Sequence, residues 1–213
     1  MVIFDWDGTL CDSVAQIVAS VRSAALEIGL EPPSEAAAAN IIGLGLPQAI
    51  EVLFPSQPLE LRQEIARVYS GHYVANDTGR PRLFPGALQT LNALRGRGLG
   101  LAVATGKSRR GLDRVLGALD MGSFFDTSRC ADETRSKPDP LMLLEIIEER
   151  QLDPAEVIMV GDTEYDLEMA ANAGIASVGV SFGAHERERL LAHNPLVVVD
   201  SLPELLDLAI LSR

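Results

Sequence analysis

Short apolar segments alternate with helix-like segments along most of the chain, and this alternation constrains the fold more than any other feature. Each apolar segment is bounded by glycine, proline or polar residues, which is typical of strands buried on both faces. The predicted strands are residues 1–4, 99–105, 157–161, 175–180 and 196–200. Because strands that alternate with helices favour right-handed βαβ connections, the sequence predicts an α/β fold with a doubly wound parallel sheet.

One long segment interrupts this alternation. From about residue 14 to about residue 80 the chain contains only helical patterns, such as SVAQIVASVRSAALEIG and LELRQEIARVYSGHYVAN, separated by EPPSE and GLGLP. We therefore predict two domains. Residues 1–13 and 81–213 form the α/β core, and residues 14–80 form an inserted α-helical cap domain.

Composition limits the partners of the chain. Its 213 residues include 30 acidic and 18 basic side chains, for a formal net charge of −12. Nucleic acids and anionic membranes require basic surfaces, so we expect neither as a partner, whereas carboxylates can gather a divalent cation. The sequence has no apolar run long enough to span a membrane, and its first residues do not show the basic and then apolar pattern of a signal peptide. We therefore expect a cytoplasmic protein. Cys11 and Cys130 are far apart, which indicates two free thiols.

Polar clusters follow the predicted strands or precede the helices between them. In a parallel sheet, ligands bind at the carboxyl ends of the strands, where the strand order switches. Any one cluster has an ordinary explanation as a turn or a helix cap. Four clusters in equivalent positions predict a shared site. They are Asp5 with Asp7, the segment Thr105-Gly106-Lys107, Lys137 in RSKPDP, and Asp162 with Asp166 in GDTEYD.

The two lysines strengthen this prediction. Lys107 and Lys137 are the only lysines in the chain, and arginine supplies every other basic side chain. A compact ammonium at two strand ends, in a sequence that otherwise uses arginine, indicates that both positions need a point charge. The alternative is that these two lysines remain by chance in a sequence that is biased toward arginine.

In chain order, DWDGTLCDS, ATGK, the lysine of SKPDP and GDTEYD resemble the four motifs of the haloacid dehalogenase-like phosphohydrolases. The resemblance covers nearly the whole chain and is closest to the phosphoglycolate phosphatase-like group, in which a helical cap follows the first strand. It implies a Rossmann-like core and a phosphatase. It also implies a small phosphorylated metabolite as the partner, with the protein either a monomer or a homodimer.

The resemblance assigns catalytic roles to the first pair of aspartates. Asp5 corresponds to the nucleophile, which forms an aspartyl-phosphate intermediate. Asp7 corresponds to the general acid that protonates the leaving oxygen and then to the base that activates water. A carboxylate can attack an anionic phosphate monoester only when cations mask its charge.

The resemblance also implies a Mg²⁺ cofactor and a phosphate site. Mg²⁺ prefers oxygen ligands. By the family pattern they are Asp5, the backbone carbonyl of Asp7 and Asp162, with Asp166 assisting directly or through a neighbour. The groups implied for phosphate are Thr105, the Gly106 amide and Lys137, the last of which would also hold Asp5 ionised.

The motif residues of this chain differ from those of other members of the superfamily. Dehalogenases of this superfamily lack the second aspartate, and phosphonatases need a cap lysine, but no lysine precedes Lys107. Sugar phosphomutases of the β-phosphoglucomutase type carry a cap-loop arginine three residues after a glycine, where this chain has Leu46 after Gly43. The mutase stays an alternative, as does a non-catalytic binding module, although that module would be expected to lose a motif residue.

A few further residues carry expectations of their own. Asp12 and Ser13 are predicted to cap the first cap helix. Trp6, between the two aspartates, is expected to pack as structure. Lys107 is expected behind the site or at the edge of the substrate. The three histidines, which show no paired spacing, are assigned no metal: His72, His185 and His193.

Overall fold

Six parallel strands form the central sheet of the computed structural model, which describes residues 1–76 and 81–211. The strand order is β3-β2-β1-β4-β5-β6, so β1 lies at the centre, where the winding of the chain reverses. The prediction of a doubly wound parallel sheet is confirmed. The strands are β1 (Val2–Phe4), β2 (Leu101–Thr105), β3 (Thr127–Cys130), β4 (Ile158–Gly161), β5 (Ala176–Val180) and β6 (Val197–Val199).

Helices cover both faces of this sheet. Successive residues of β1 point to opposite faces, so Phe4 packs in one apolar cluster and Ile3 in the other. The core helices are α5 (Ala87–Gly96), α6 (Arg109–Ala118), α7 (Leu141–Arg150), α8 (Glu164–Asn172) and α9 (Arg187–Leu191). Trp6 is fully buried in the cluster that contains Phe4, as expected for a structural residue.

One strand was missed by the sequence prediction, which found five. Strand β3 reads TSRC, and among its residues only Cys130 is buried. It is an edge strand that pairs with β2 alone. Its Arg129 forms ion pairs with Glu145 and Glu149 on α7, at 2.6 and 2.7 Å. Ion pairs with a neighbouring helix, rather than an apolar run, therefore accompany this strand.

Four helices follow β1, in the segment predicted as the cap. They have an apolar cluster of their own, in which Val21, Ile50 and Ile65 are buried. The helices are α1 (Val14–Glu27), α2 (Glu35–Asn40), α3 (Leu46–Leu53) and α4 (Leu59–Asn76). The predicted domain end at residue 80 and the last two residues of the predicted core, 212 and 213, lie outside the described residues. No helix within the described ranges has the length and apolar content needed to cross a membrane.

Candidate active site

The predicted site residues meet at the carboxyl ends of the three central strands. Asp5 directly follows β1, Thr105 ends β2 and Asp162 follows β4. Because β1 pairs in parallel with both β2 and β4, these three strand ends are adjacent. Lys137 reaches the same place from the loop before α7, and Asp166 reaches it from the first turn of α8.

Lys137 lies between two of the aspartates. Its Nζ is 2.8 Å from Asp5 Oδ1 and 2.6 Å from Asp166 Oδ1, and its side chain is fully buried. Burial opposes the charged form of a lysine, but the carboxylates of Asp166 and Asp5 outweigh it and raise the pKa of Lys137. Lys137 is therefore a permanent cation within the cluster.

The start of α8 fixes Asp166. Its Oδ2 accepts hydrogen bonds from the backbone nitrogen of Thr163, at 3.1 Å, and from the Thr163 hydroxyl, at 2.7 Å. The bond from the Thr163 backbone nitrogen is one half of a capping box, in which the Thr163 side chain in turn accepts from the backbone nitrogen of Asp166. The helix cap leaves Oδ1 to bind Lys137.

Two hydrogen bonds hold the Asp162 carboxylate, and the backbone of two glycines packs closely against its side chain. Its Oδ1 accepts from the Thr9 hydroxyl at 2.8 Å, and its Oδ2 accepts from the backbone nitrogen of Ala184 at 2.7 Å. A Cβ at Gly8 would lie 2.1 Å from Asp162 Oδ2, and one at Gly183 would lie 2.2 Å from its Cβ. Burial and the charge of Asp166 raise the pKa of Asp162 to about 7. Thr9 and Gly183 carry no sequence signal that separates them from ordinary loop residues.

Asp5, Asp162 and Asp166 form an acidic cluster, in which one carboxylate oxygen from each residue lies within 4.8 Å of the others. Burial raises the pKa of Asp5 well above its usual range, and Asp166 and Asp162 raise it further, while Lys137 lowers it. Asp5 Oδ2 is buried and accepts no hydrogen bond from the described residues. Three carboxylates thus face one ammonium, and the all-oxygen donor set fits Mg²⁺.

Asp7 belongs to a different set of contacts. Its Oδ2 lies 3.0 Å from Lys107 Nζ, and its Oδ1 accepts a hydrogen bond of 2.7 Å from the Ser13 hydroxyl. Ser13 occupies the N-cap position of α1, but its side chain makes no capping hydrogen bond. Ser13 is the N-cap residue, as predicted, but its side chain does not cap the helix, because its hydroxyl binds Asp7 instead.

Lys107 connects the core with the predicted cap, the segment that contains helices α1–α4. Besides Asp7, its Nζ donates to the Tyr73 hydroxyl of α4 at 3.1 Å, and it lies 4.6 Å from the centre of the Tyr73 ring. Burial would lower the pKa of Lys107, but Asp7 and Tyr73 reverse this and raise it. Burial and Asp7 raise the pKa of Tyr73 to about 12, so the phenol stays protonated. Sequence reasoning missed Tyr73, because its helix pattern gives no sign of this contact.

The cap loop between α2 and α3 rests on the strand ends of the core. The backbone nitrogen of Gly45 donates to Ser136 Oγ at 2.8 Å. A Cβ at Gly106 would lie 2.5 Å from the Leu44 carbonyl oxygen, so only glycine permits this approach. The fully buried Thr105 accepts a hydrogen bond of 3.2 Å from the backbone nitrogen of Lys107.

Asn40, the last residue of α2, makes a second contact between cap and core. Its carbonyl oxygen accepts a hydrogen bond of 3.0 Å from the Tyr165 hydroxyl and lies 3.3 Å from His185 Nε2. Its side-chain oxygen accepts from Arg189. The cap therefore touches the core on both sides of the acidic cluster.

A cavity of about 660 Å³ lies between the acidic cluster and the cap. Its polar wall comes from the core, and the remaining walls come mainly from apolar cap residues. The core residues that line it are Asp5, Asp7, Thr105, Gly106, Lys107, Ser108, Arg110, Gly111 and Arg114, and the cap residues include Ile17, Ile42, Ala49, Ile50, Tyr69 and Tyr73.

Comparison with known proteins gives the family. The model for haloacid dehalogenase-like hydrolases matches residues 2–180. The chain belongs to the haloacid dehalogenase-like hydrolases. The resemblance in the four motifs is thereby confirmed, and so is the expectation that the chain is an enzyme.

Two relatives of this hydrolase are named as phosphatases. It is 35% identical to the "Probable phosphatase IndB" of Dickeya dadantii, over 98% of this chain and 93% of the relative. It is 31% identical to the "Phosphoglycolate phosphatase" of Vibrio vulnificus, over 100% and 96% of the two chains. A solved structure described as a predicted phosphoglycolate phosphatase, from Haemophilus somnus, superimposes with a TM-score of 0.85 at 26% identity, over 97% and 96% of the two chains.

Proposed function

We propose that this hydrolase is a Mg²⁺-dependent phosphatase that cleaves a small phosphate monoester through an aspartyl-phosphate at Asp5. One observation carries the proposal. One carboxylate oxygen each from Asp5, Asp162 and Asp166 lies within 4.8 Å of the others at the end of the central strand, and the buried ammonium of Lys137 binds Asp5 and Asp166. Such a cluster suits the transfer of an anionic phosphoryl group, because it needs a cation and a carboxylate nucleophile in the same place.

In the proposed reaction, Asp5 attacks phosphorus and the bond from phosphorus to the leaving oxygen breaks. A bound Mg²⁺, held by Asp5, the Asp7 carbonyl and Asp162, with Asp166 assisting, would mask the negative charge of the phosphate. Lys137, fixed by Asp166, would bind a phosphoryl oxygen and keep Asp5 ionised. Thr105 and the Gly106 amide would donate to the remaining phosphoryl oxygens before α6 begins.

Asp7 would move the protons. It would give a proton to the leaving oxygen in the first step and take one from water in the second, when the water oxygen attacks phosphorus, the bond from phosphorus to Asp5 breaks and inorganic phosphate leaves. Its hydrogen bond with Ser13 and its ion pair with Lys107 hold the carboxylate outside the acidic cluster, on the side of the cavity. The separation of Asp7 from the other carboxylates supports a role other than a side-chain metal ligand.

The test is release of inorganic phosphate from phosphate monoesters, with phosphoglycolate, named in relatives, as the reference compound. Rapid acid quench of the wild type with Mg²⁺ should trap a phosphoenzyme. Asp5→Asn should give neither phosphoenzyme nor turnover. Asp12→Asn is the matched control, since Asp12 lies outside the acidic cluster and its nearest ionic partner, Arg82, is 3.9 Å away. A phosphorylated Asp5→Asn protein would refute the proposal, and transfer to a sugar phosphate without phosphate release would favour the mutase.

A further inference from the structure

The cavity beside Asp5 is much larger than a two-carbon alcohol requires. Its volume of about 660 Å³ would hold roughly twenty waters at about 30 Å³ each. It falls within the range of about 300–1,000 Å³ that is typical of pockets for drug-sized ligands. The phosphoryl group itself needs only the polar wall near Asp5, Thr105 and Gly106. The rest of the volume is available to the leaving group.

The cap half of the cavity is lined by apolar and neutral polar residues. Every described cap residue that lines it is uncharged. Ile42, Ala49 and Ile50 are among these residues, and each is no more than 3% exposed. A carboxylate placed here would lose its water without gaining a partner, which is strongly unfavourable. The cap half therefore favours an apolar group.

The cations of the core wall do not change this conclusion. Lys107 is already engaged by Asp7 and Tyr73. Arg114 lies over the Tyr73 ring, 5.6 Å from its centre. Arg110, in the first turn of α6, also lines the cavity and is exposed. Both arginines belong to the core wall of the cavity, so the aliphatic cap residues that line it, such as Ala49 and Ile50, bring no charge of their own.

Two tyrosines give the cavity an aromatic wall. The rings of Tyr69 and Tyr73 are 5.9 Å apart and inclined by 37° to each other, and both residues line the cavity. Aromatic rings contact one another favourably at centre distances of about 4.5–7 Å. A flat ring in the leaving group would pack against this wall and against the aliphatic residues of α3.

We propose that the preferred substrate is a phosphate monoester whose alcohol carries an apolar body of about the size of an aromatic ring, and that this body occupies the cap half of the cavity. The proposal rests on the proposed function for the chemistry of phosphoryl transfer. It goes beyond that function by naming the class of leaving group. The observation behind it is the uncharged, largely aliphatic cap wall opposite Asp5.

The first test compares ethyl phosphate with benzyl phosphate. The two alcohols have similar acidity, so a difference in kcat/KM reports the size and apolarity of the leaving group. Burial of the ring at about 25 cal/mol per Å² predicts a roughly 10- to 100-fold higher kcat/KM for benzyl phosphate. Equal values would overturn the proposal. A kcat/KM for phosphoglycolate above that for benzyl phosphate would also overturn it.

Two variants of α3 connect the preference to the cavity. Ala49→Phe places a ring in the cavity, so the ratio of the benzyl to the ethyl kcat/KM should fall close to one. Val52→Phe adds the same ring on the same helix at a site that is 53% exposed and outside the cavity, and it should leave the ratio unchanged. An Ala49→Phe protein that keeps the wild-type ratio would contradict the proposal.

A binding measurement separates this proposal from the proposed function. The Mg²⁺-loaded wild type is titrated calorimetrically with benzylphosphonate and ethylphosphonate, which cannot be hydrolysed, and benzylphosphonate should bind at least tenfold more tightly. Tighter binding with no turnover of any ester would refute the phosphatase and retain the ligand class. Turnover with equal affinities would refute the ligand class and retain the phosphatase. This result does not depend on whether Ala49→Phe folds.

Discussion

Lys107 Nζ lies 3.0 Å from Asp7 Oδ2 in a contact that is almost completely buried, with the two side chains only 10% and 11% exposed. This ion pair joins the loop after β2 to the loop after β1. A buried pair of this kind costs free energy to break, because removal of one partner leaves the other charge without compensation. The same ammonium binds Tyr73, so the orientation of Asp7 is linked to a residue of the cap.

Lys107→Met is therefore expected to lower kcat more than it raises KM, since it removes the group that orients Asp7 but not the phosphate site. General acid and base groups contribute about 10²–10⁴-fold to the rate. Because Lys107→Met disturbs the orientation of Asp7 without removing its carboxylate, we expect a smaller loss of kcat, roughly 10- to 100-fold. Steady-state kinetics with an alkyl phosphate measure the effect. Arg67→Met, on the exposed side of α4, serves as the control for loss of a cation. Unchanged kcat in Lys107→Met would exclude this role.

Asp7→Asn should separate the two chemical steps. With a good leaving group such as p-nitrophenolate, attack by Asp5 needs little protonation, so a burst of p-nitrophenol should survive. Breakdown of the aspartyl-phosphate should stall, because no base activates water, and the steady state should slow by about 10²–10⁴-fold. Stopped-flow absorbance follows both phases. Loss of the burst together with loss of Mg²⁺ affinity would mean that Asp7 serves mainly to hold the metal.

Much of the fold is predictable because the central strands are buried on both faces. Every residue of β1, β2 and β4 is buried, so each strand appears in the sequence as an apolar run bounded by turn residues. Strand β3 does not appear, since three of its four residues are only partly buried. Its ion pairs from Arg129 to α7 are tertiary contacts between residues that are distant in sequence, and no local pattern reports them.

In the candidate site, too, residues with a local sequence signal could be predicted, whereas contacts between distant residues could not. Asp5, Thr105 and Asp162 could be found because each stands where a predicted strand ends, and the sheet topology alone brings them together. Ser13 stands at the predicted N-cap, but its side-chain contact was missed, because local sequence does not show that a carboxylate six residues earlier folds back to its hydroxyl. Tyr73 was missed for the related reason that its partner comes from the other side of the cavity.

Removal of divalent cations should abolish activity, and Mg²⁺ should restore it, because three buried carboxylates face a single lysine. A second readout is independent of turnover. A metal that binds only the folded state stabilises it by about 2.7 kcal/mol at a concentration 100 times its Kd. Thermal unfolding should therefore shift upward with Mg²⁺ in the wild type and in Asp12→Asn, but much less in Asp162→Asn. Full activity in a metal-free preparation would rule out the cofactor.

Gly8 and Gly29 offer a matched pair for testing how the backbone shapes the proposed metal site. Both have positive φ, +84° and +76°, so an alanine at either position carries the same left-handed strain of about 1–2 kcal/mol. A Cβ at Gly29 meets nothing within 4 Å, whereas one at Gly8 would lie 2.1 Å from Asp162 Oδ2. Gly29→Ala should therefore lower the melting temperature by only a few degrees, at about 2–4 °C per kcal/mol for a chain of this size.

Gly8→Ala should lose more stability than Gly29→Ala and should also weaken Mg²⁺ binding, because the added methyl displaces the Asp162 carboxylate from its bonds with Thr9 and Ala184. The decisive measurement is the Mg²⁺-induced shift in melting temperature for the two variants. Gly29→Ala should keep the wild-type shift, since it lies in the cap, away from the acidic cluster. Equal shifts in both variants would show that Gly8 serves only the turn. A smaller shift in Gly8→Ala alone would show that close approach of the Gly8 backbone to Asp162 is needed to place a metal ligand.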